Sequence, residues 1–254
     1  MLQQRENNGK GLGHSIPFAL VLIVVACAGA WGGPPFTTDD PEPVDYLHWE
    51  FYLASAVEFH QSQADGTLPH IEVNYGAVPN VQVHLITPMG YVHSDGATNY
   101  GFSDLELGLK YRFVGETDNA PQVGTFPIIE IPTGSQEKDL GNGRMQVYLP
   151  VWFQKSWGKF TTYGGAGYWY NPGEQTKNWV FSGWELQYDF SSVVTLGGEI
   201  YHRTPDMQNS DSGSGFNLGG FINFDQKDHL LFSFGRTVLG EGTSTMYVGY
   251  QVTI

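Results

Sequence analysis

The sequence predicts an all-β protein, a transmembrane antiparallel up-and-down β-barrel of about 12 strands. Three observations carry this. Beyond its first 45 residues the chain alternates apolar and polar side chains with period two, and no stretch keeps helical periodicity. The segments joining these runs alternate along most of the chain between tight turns and long, polar, Gly-rich loops, with Val114–Pro121 long for a turn and Leu239–Thr243 short for a loop. An export signal stands at the head of the chain.

Composition narrows the class. In 254 residues, charged and aromatic side chains make up 15% each and glycine occurs 33 times, which suits a wall with one lipid face and many turns. Disorder wants the opposite, high charge with few aromatics. The formal net charge of −14 excludes nucleic acid as a partner, because phosphate contacts need Lys and Arg. Cys27 is the one cysteine and lies in the export signal, so no internal disulfide and no Cys-based metal site is expected.

Residues 1–30 read as a signal peptide. Arg5 and Lys10 make the positive region, Ile16 to Cys27 the apolar run, and Ala28-Gly29-Ala30 the small residues that signal peptidase requires. The run is far shorter than the ~20 residues of a spanning helix. Cleavage after Ala30 is expected; Val24-Val25-Ala26-Cys27 also fits the pattern before a lipidated cysteine. Residues 31–45 come next. Pro41 and Pro43, set among Asp39, Asp40, Glu42 and Asp45, bar Thr37–Asp45 from being a membrane strand, so this part is a periplasmic leader or a short plug in the lumen.

The barrel is assigned to residues 46–254. From Leu47 to His60 the odd positions are almost all apolar, while His48, Glu50, Glu58 and His60 share the even face. Ile71–Tyr75 and Val81–Ile86 follow. In the fourth strand Leu105, Leu107, Leu109, Tyr111 and Phe113 oppose Asp104, Glu106, Lys110 and Arg112. Then come Val123–Ile131, Gln146–Lys155, Phe160–Tyr170, Trp179–Tyr188, Val193–His202, Phe216–Phe224, Leu230–Val238 and Ser244–Ile254. Pro88–Ser103, Pro132–Met145 and Thr204–Gly215 are expected as long loops; Gly76–Asn80, Ser156–Lys159, Asp189–Ser192 and Asp225–Asp228 as tight turns. Long loops outside and short periplasmic turns are the transmembrane habit.

A soluble barrel would share the alternation with its faces reversed. The signal peptide, the loop rhythm and aromatics bunched near strand ends favour the membrane. Trp49, Phe59, Tyr100, Phe102, Trp157, Phe160, Tyr168, Trp169, Tyr170, Trp179, Tyr188 and Phe190 are expected at the two interfaces. The last strand alternates through Met246, Val248, Tyr250 and Val252 to Ile254 and resembles the terminal signal read by the barrel assembly machinery, with Ile254 in place of the usual aromatic. Expected partners are therefore outer-membrane lipid, that machinery and a small-molecule solute, with no cofactor.

The segment Pro34 to Leu53, PPFTTDDPEPVDYLHWEFYL, resembles the start of a family of bacterial outer-membrane transporters also named for the MetA pathway of phenol degradation. The likeness is most specific at Pro35-Phe36, Thr38–Pro43 and His48-Trp49-Glu50. It implies the fold, the outer membrane and, through the family name, uptake of aromatic compounds.

By parity the lumen is lined by His48, Glu50, Glu58, His60, His70, Glu72, His84, Asp104, Glu106, Lys110, Arg112, Glu130, Glu185 and Glu199, with Phe126, Ile128 and Phe221 as its apolar members. About a dozen strands leave room for a narrow pore or a small-ligand lumen. The alternative is that these groups pair across the interior, since buried charges must be partnered. His48, His60, His70 and His84 fall on three strands and are read as polar lining, not metal ligands. His60-Gln61-Ser62 has the spacing of an outer-membrane lipid hydrolase, but His60 shares parity with Glu58 and Ser62 falls in a turn, so no catalysis is expected. The expected function is a passive channel or uptake protein for small molecules; the rival is a structural or assembly barrel with a blocked lumen.

Overall fold

The structure is a computed structural model that describes residues 34–254. The signal peptide and its cleavage or lipidation site lie outside the described residues. Fourteen strands run in order: β1 (Trp49–Phe59), β2 (Gln63–Val78), β3 (Val81–Ser94), β4 (Ala97–Phe102), β5 (Leu105–Val114), β6 (Gln122–Thr125), β7 (Ile128–Ile131), β8 (Gln146–Trp157), β9 (Phe160–Tyr170), β10 (Trp179–Asp189), β11 (Val194–Arg203), β12 (Gly213–Asn223), β13 (Asp228–Leu239) and β14 (Ser244–Thr253).

All pairings between these strands are antiparallel, each stave with its sequence neighbours, and β14 pairs with β1 to close the ring. β4 and β5 both pair with β3, at successive levels, and form one stave. β6 and β7 likewise share the place between β5 and β8. The wall thus has 12 staves, the number the alternation predicts. An even number returns both chain ends to one rim, the turn end; the opposite rim is the loop end.

The faces follow the predicted parity. Leu107, Leu109, Tyr111 and Phe113 lie on the outer surface, whereas Asp104 and Lys110 are buried inside. The same holds on β8, where Leu149, Val151 and Phe153 point out and Tyr148, Trp152 and Gln154 point in. A wall with apolar groups outward and polar groups inward is the transmembrane arrangement, the reverse of a soluble barrel.

Two features differ from the sequence expectation. Pro88–Ser103 is not a loop: β3 runs on to Ser94, turns through Asp95-Gly96 and returns as β4. Both turn residues have positive φ, 53° and 78°, the two-residue hairpin geometry that Asp-Gly favours. β2, at 16 residues, is likewise longer than the 9–11 a bilayer requires, so these hairpins stand above the membrane zone, where neither face needs to be apolar. Second, Trp169 and Trp179 leave the expected interfacial belt. They face the lumen and stack at 5.4 Å.

Candidate functional site

The barrel is not empty. Residues 34–45 run inside it before the chain reaches the rim, where Leu47 N–H donates to Gly76 O and β1 begins. Local chemistry makes this possible. Pro34, Pro35, Pro41 and Pro43 have no N–H, so the segment brings few backbone donors into a space without a ladder to satisfy them. The segment's own carboxylates take the N–H groups of Asp40 and Glu42, and the wall takes others. Thr37 and Thr38 donate their N–H groups to the two oxygens of Glu199, at 2.8 and 2.7 Å, and Val44 N–H donates to Gln82 Oε1 at 2.9 Å.

The acids of the segment meet complementary side chains. Lys110 Nζ lies 2.9 Å from Asp39 Oδ1 and 3.4 Å from Asp40 Oδ2. Glu42 Oε2 accepts from Gln122 and Gln154, at 3.1 and 2.8 Å, with Arg112 3.6 Å from its other oxygen. Asp40 is fully buried, and burial pushes its carboxyl up to about 7; Lys110 pulls the other way, while Asp39 and Glu42 add to the rise. The wall is thinned where the segment presses. A Cβ at Gly183 would overlap Thr38 Oγ1, and one at Gly124 would sit 2.8 Å from Pro41 Cβ.

The parity-predicted residues divide into groups. Glu50, His70, Glu72, His84, Asp104, Lys110, Glu185 and Glu199 are buried on the inner face. His84 joins three strands: its Nδ1 is 2.6 Å from Asn74 Oδ1 and its Nε2 is 2.9 Å from Glu106. Asn74 in turn donates to Glu72 at 2.8 Å, and Tyr52 OH donates to Glu50 at 2.8 Å. Arg112 Nη1 donates to Gln122 at 3.1 Å, and its Nε and Nη2 donate to Asn80 Oδ1. At the loop end, Asp104 accepts the N–H groups of Gly134 and Asn142, and Glu130 accepts from the Asn142 side chain at 3.0 Å. Glu58 and His60 lie at the same end, half-exposed, with His60 3.2 Å from Asp65. His48 lies outside the strands, exposed at the turn end. Pairing thus runs both within the wall and between wall and inserted segment; among the described residues Lys110 reaches Asp39 and Asp40 and no wall carboxylate within salt-bridge distance. Glu185, at 0% exposure, sits across the ladders from Tyr163 and Glu199.

Parity also places aromatics inside, and these are more numerous than Phe126, Ile128 and Phe221. Phe126, Tyr148, Trp152 and Phe181 form one buried cluster, with Ile128, Trp169, Trp179 and Tyr201 packed on it. Tyr52, Phe221 and Leu231 form a second. Tyr148, Trp169 and Trp179 stack in succession across β8, β9 and β10, at 4.7 and 5.4 Å. The two indoles enter a cavity of about 410 Å³ at the loop end, where Glu130, Arg144, Glu174 and Asp206 supply the charge. A second cavity, about 30 Å³, lies between Lys110, Phe126 and the inserted segment and has room for water alone.

No family model and no curated protein matches the chain in sequence. In structure it is similar to an outer membrane channel from Pseudomonas putida F1, with a TM-score of 0.70 at 15% identity over 85% of this chain and 98% of that one. It is also similar to the NanC porin, with a TM-score of 0.57 at 7% identity over 80% and 98% of the two chains. A KdgM porin in complex with disordered oligogalacturonate gives 0.54 at 8%, over 79% and 98%. At such identities the likeness is one of architecture, and it agrees with the inside–outside arrangement of the wall: the chain has the fold of the outer-membrane β-barrel channels.

Proposed function

We propose that the protein is an outer-membrane uptake protein that lets small molecules, aromatic compounds among them, cross by passive diffusion. The observation that carries this is the shape of the interior. Residues 34–45 occupy the lumen and leave a water-sized gap beside Lys110 and Phe126, while the loop end keeps a cavity of about 410 Å³ edged by Trp169 and Trp179. A wide porin would leave an aqueous channel, and a purely structural barrel has no use for a vestibule floored by stacked indoles. The likeness in fold to channels supports the class of function. The lumen-facing carboxylates and histidines are proposed as the polar wall of this interior, with Lys110 and Arg112 as its fixed cations.

The test is titration of the folded protein in detergent with phenol or a small arene, following tryptophan fluorescence. Saturable quenching is expected, lost in a Trp169→Ala/Trp179→Ala variant. Non-saturable quenching, together with no solute flux into proteoliposomes, would favour the structural barrel.

A further inference from the structure

One seam of the wall has an interrupted ladder with no change of register. β6 pairs with β8 through Gln122↔Gln154, Val123↔Phe153 and Gly124↔Trp152. β7 pairs with β8 through Ile128↔Tyr148, Ile129↔Val147 and Glu130↔Gln146. Both sets keep one alignment, so residues 125–127 face residues 149–151 with no ladder pair between them. A bulge would have shifted the alignment; none has.

Proline accounts for part of the gap. Pro150 turns its backbone to the seam and has no N–H to give, whereas Pro127 on the facing segment turns its backbone to β5. The carbonyl of Pro150 is taken by a side chain, Thr125 Oγ1 at 2.6 Å, in place of a backbone donor. On its other edge the same stretch is tied to β5 by Leu109 N–H, which donates to Pro127 O at 3.0 Å. A wall that parts in hydrocarbon must leave as few unpaired backbone groups as possible. With the donor missing at Pro150 and a hydroxyl in place of one backbone bond, this seam has few backbone bonds to break.

Both sides of the gap are apolar. Ile129, Leu149 and Val151 face lipid outside it. Phe126, Tyr148 and Trp152 back it from within, with Pro150 fully buried between them. Tyr148 is also the inner end of the stack that begins at Trp179 in the loop-end cavity. An apolar surface therefore runs from the vestibule to the seam, while the axial way is occupied by residues 34–45.

We propose that the seam between residues 125–127 and 149–151 is a lateral exit through which small apolar or aromatic solutes pass from the lumen into the hydrocarbon of the membrane. This rests on the uptake function proposed above. The experiment uses the full chain in outer-membrane vesicles with a lipopolysaccharide outer leaflet. The probe is 1-N-phenylnaphthylamine, whose fluorescence rises on entering hydrocarbon. A Pro127→Cys/Leu149→Cys pair, facing each other across the gap, locks it when oxidised. Oxidation is expected to slow probe entry at least tenfold and reductant to restore it, with ion conductance in planar bilayers unchanged. A second variant, Pro150→Val, returns an N–H group to the seam and is expected to slow entry without a covalent bond. Equal entry rates in the oxidised and reduced forms, or wild-type entry in the valine variant, would overturn the lateral exit and leave uptake standing. Wild-type vesicles no faster than vesicles lacking the protein would overturn uptake itself.

Discussion

Lys110→Met is the substitution that most directly asks what holds the inserted segment. Lys110 is 5% exposed, and its ammonium faces Asp39 and Asp40 at 2.9 and 3.4 Å. At an effective dielectric of about 20 the contact with Asp39 is worth about 6 kcal/mol before solvation is counted, and Asp40 adds to it as it ionises. Desolvation of the ammonium offsets much of that gain. Removing one partner leaves the acids without their cation, and breaking a buried pair in this way costs about 3–5 kcal/mol. Methionine keeps the stem and most of the volume, so the cost falls on the inserted state and not on packing. At about 1.4 kcal/mol per tenfold, the ratio of withdrawn to inserted segment rises roughly a hundred- to a few-thousand-fold. Single-channel recording in planar bilayers reads this as longer and larger openings. Adding Asp39→Asn and Asp40→Asn to Lys110→Met should restore the closed state, because a neutral set needs no cation. Unchanged opening in Lys110→Met, with a fall in the temperature at which the barrel loses its folded mobility in gels, would refute the argument: Lys110 would then serve the wall and not the segment.

Three further outcomes are expected. Leu107, 43% exposed on the outer face, should not tolerate charge: Leu107→Arg is expected to cost about 2–4 kcal/mol in urea unfolding from lipid vesicles, against a smaller loss for the lumen-facing Glu106→Gln, and an inverted order would mean that the faces are assigned the wrong way round. The carboxyl of Asp40 is pushed by burial to about 7 when inserted and returns to the ordinary aspartate value of 3.8 when solvated, so the inserted state holds a proton through that window; insertion is favoured at the acid end and loses ground as pH rises, and the open fraction should climb by at most about tenfold per pH unit until about 7, with Asp40→Asn flattening the profile. Finally, Glu50, Glu58, Glu72, Asp104, Glu106, Glu130, Glu185 and Glu199 outnumber Lys110, Arg112 and Arg203 on the inner wall, and the chain without its first 30 residues keeps a formal charge of −15, from 10 basic and 25 acidic residues. Reversal potentials across a salt gradient should show cation preference that fades as salt shortens the screening length; anion preference would sink the charge argument.

The wall was readable because a lipid-facing strand must alternate. Leu105 to Phe113 announce their face by parity alone, and the twelve staves follow from repeating that test. The reading failed where the physical demand lapses. Above the membrane zone β2 and the β3–β4 hairpin have no apolar face to maintain, so Gln63–Pro69 and Pro88–Ser103 carry no pattern. Trp169 and Trp179 resemble interfacial residues because they lie near strand ends; only their parity with the inward residues of β9 and β10 distinguishes them. The interior needed more than parity. Alternation says that Lys110 and Glu199 point inward, but their partners, Asp39 and the Thr37 and Thr38 amides, stand some seventy and more than one hundred and sixty residues away in sequence. Prolines and acids said what residues 34–45 could not be; nothing local said where they would go.

The inserted segment takes its partners from Gln82 on β3, Lys110 on β5, Gln122 on β6, Gln154 on β8, Glu199 on β11, Asn217 on β12 and Ser233 on β13. These cover most of the circumference, and the segment is joined directly to β1, one side of the joint that closes the ring. It therefore works like the spokes of a wheel, holding distant sides of the finished rim to one another through a common hub. The girth of this barrel is set by its staves and by the hub they are tied to. A wider pore is then a matter of loosening single spokes, by substitutions such as Lys110→Met, while the rim stays joined through its own ladders.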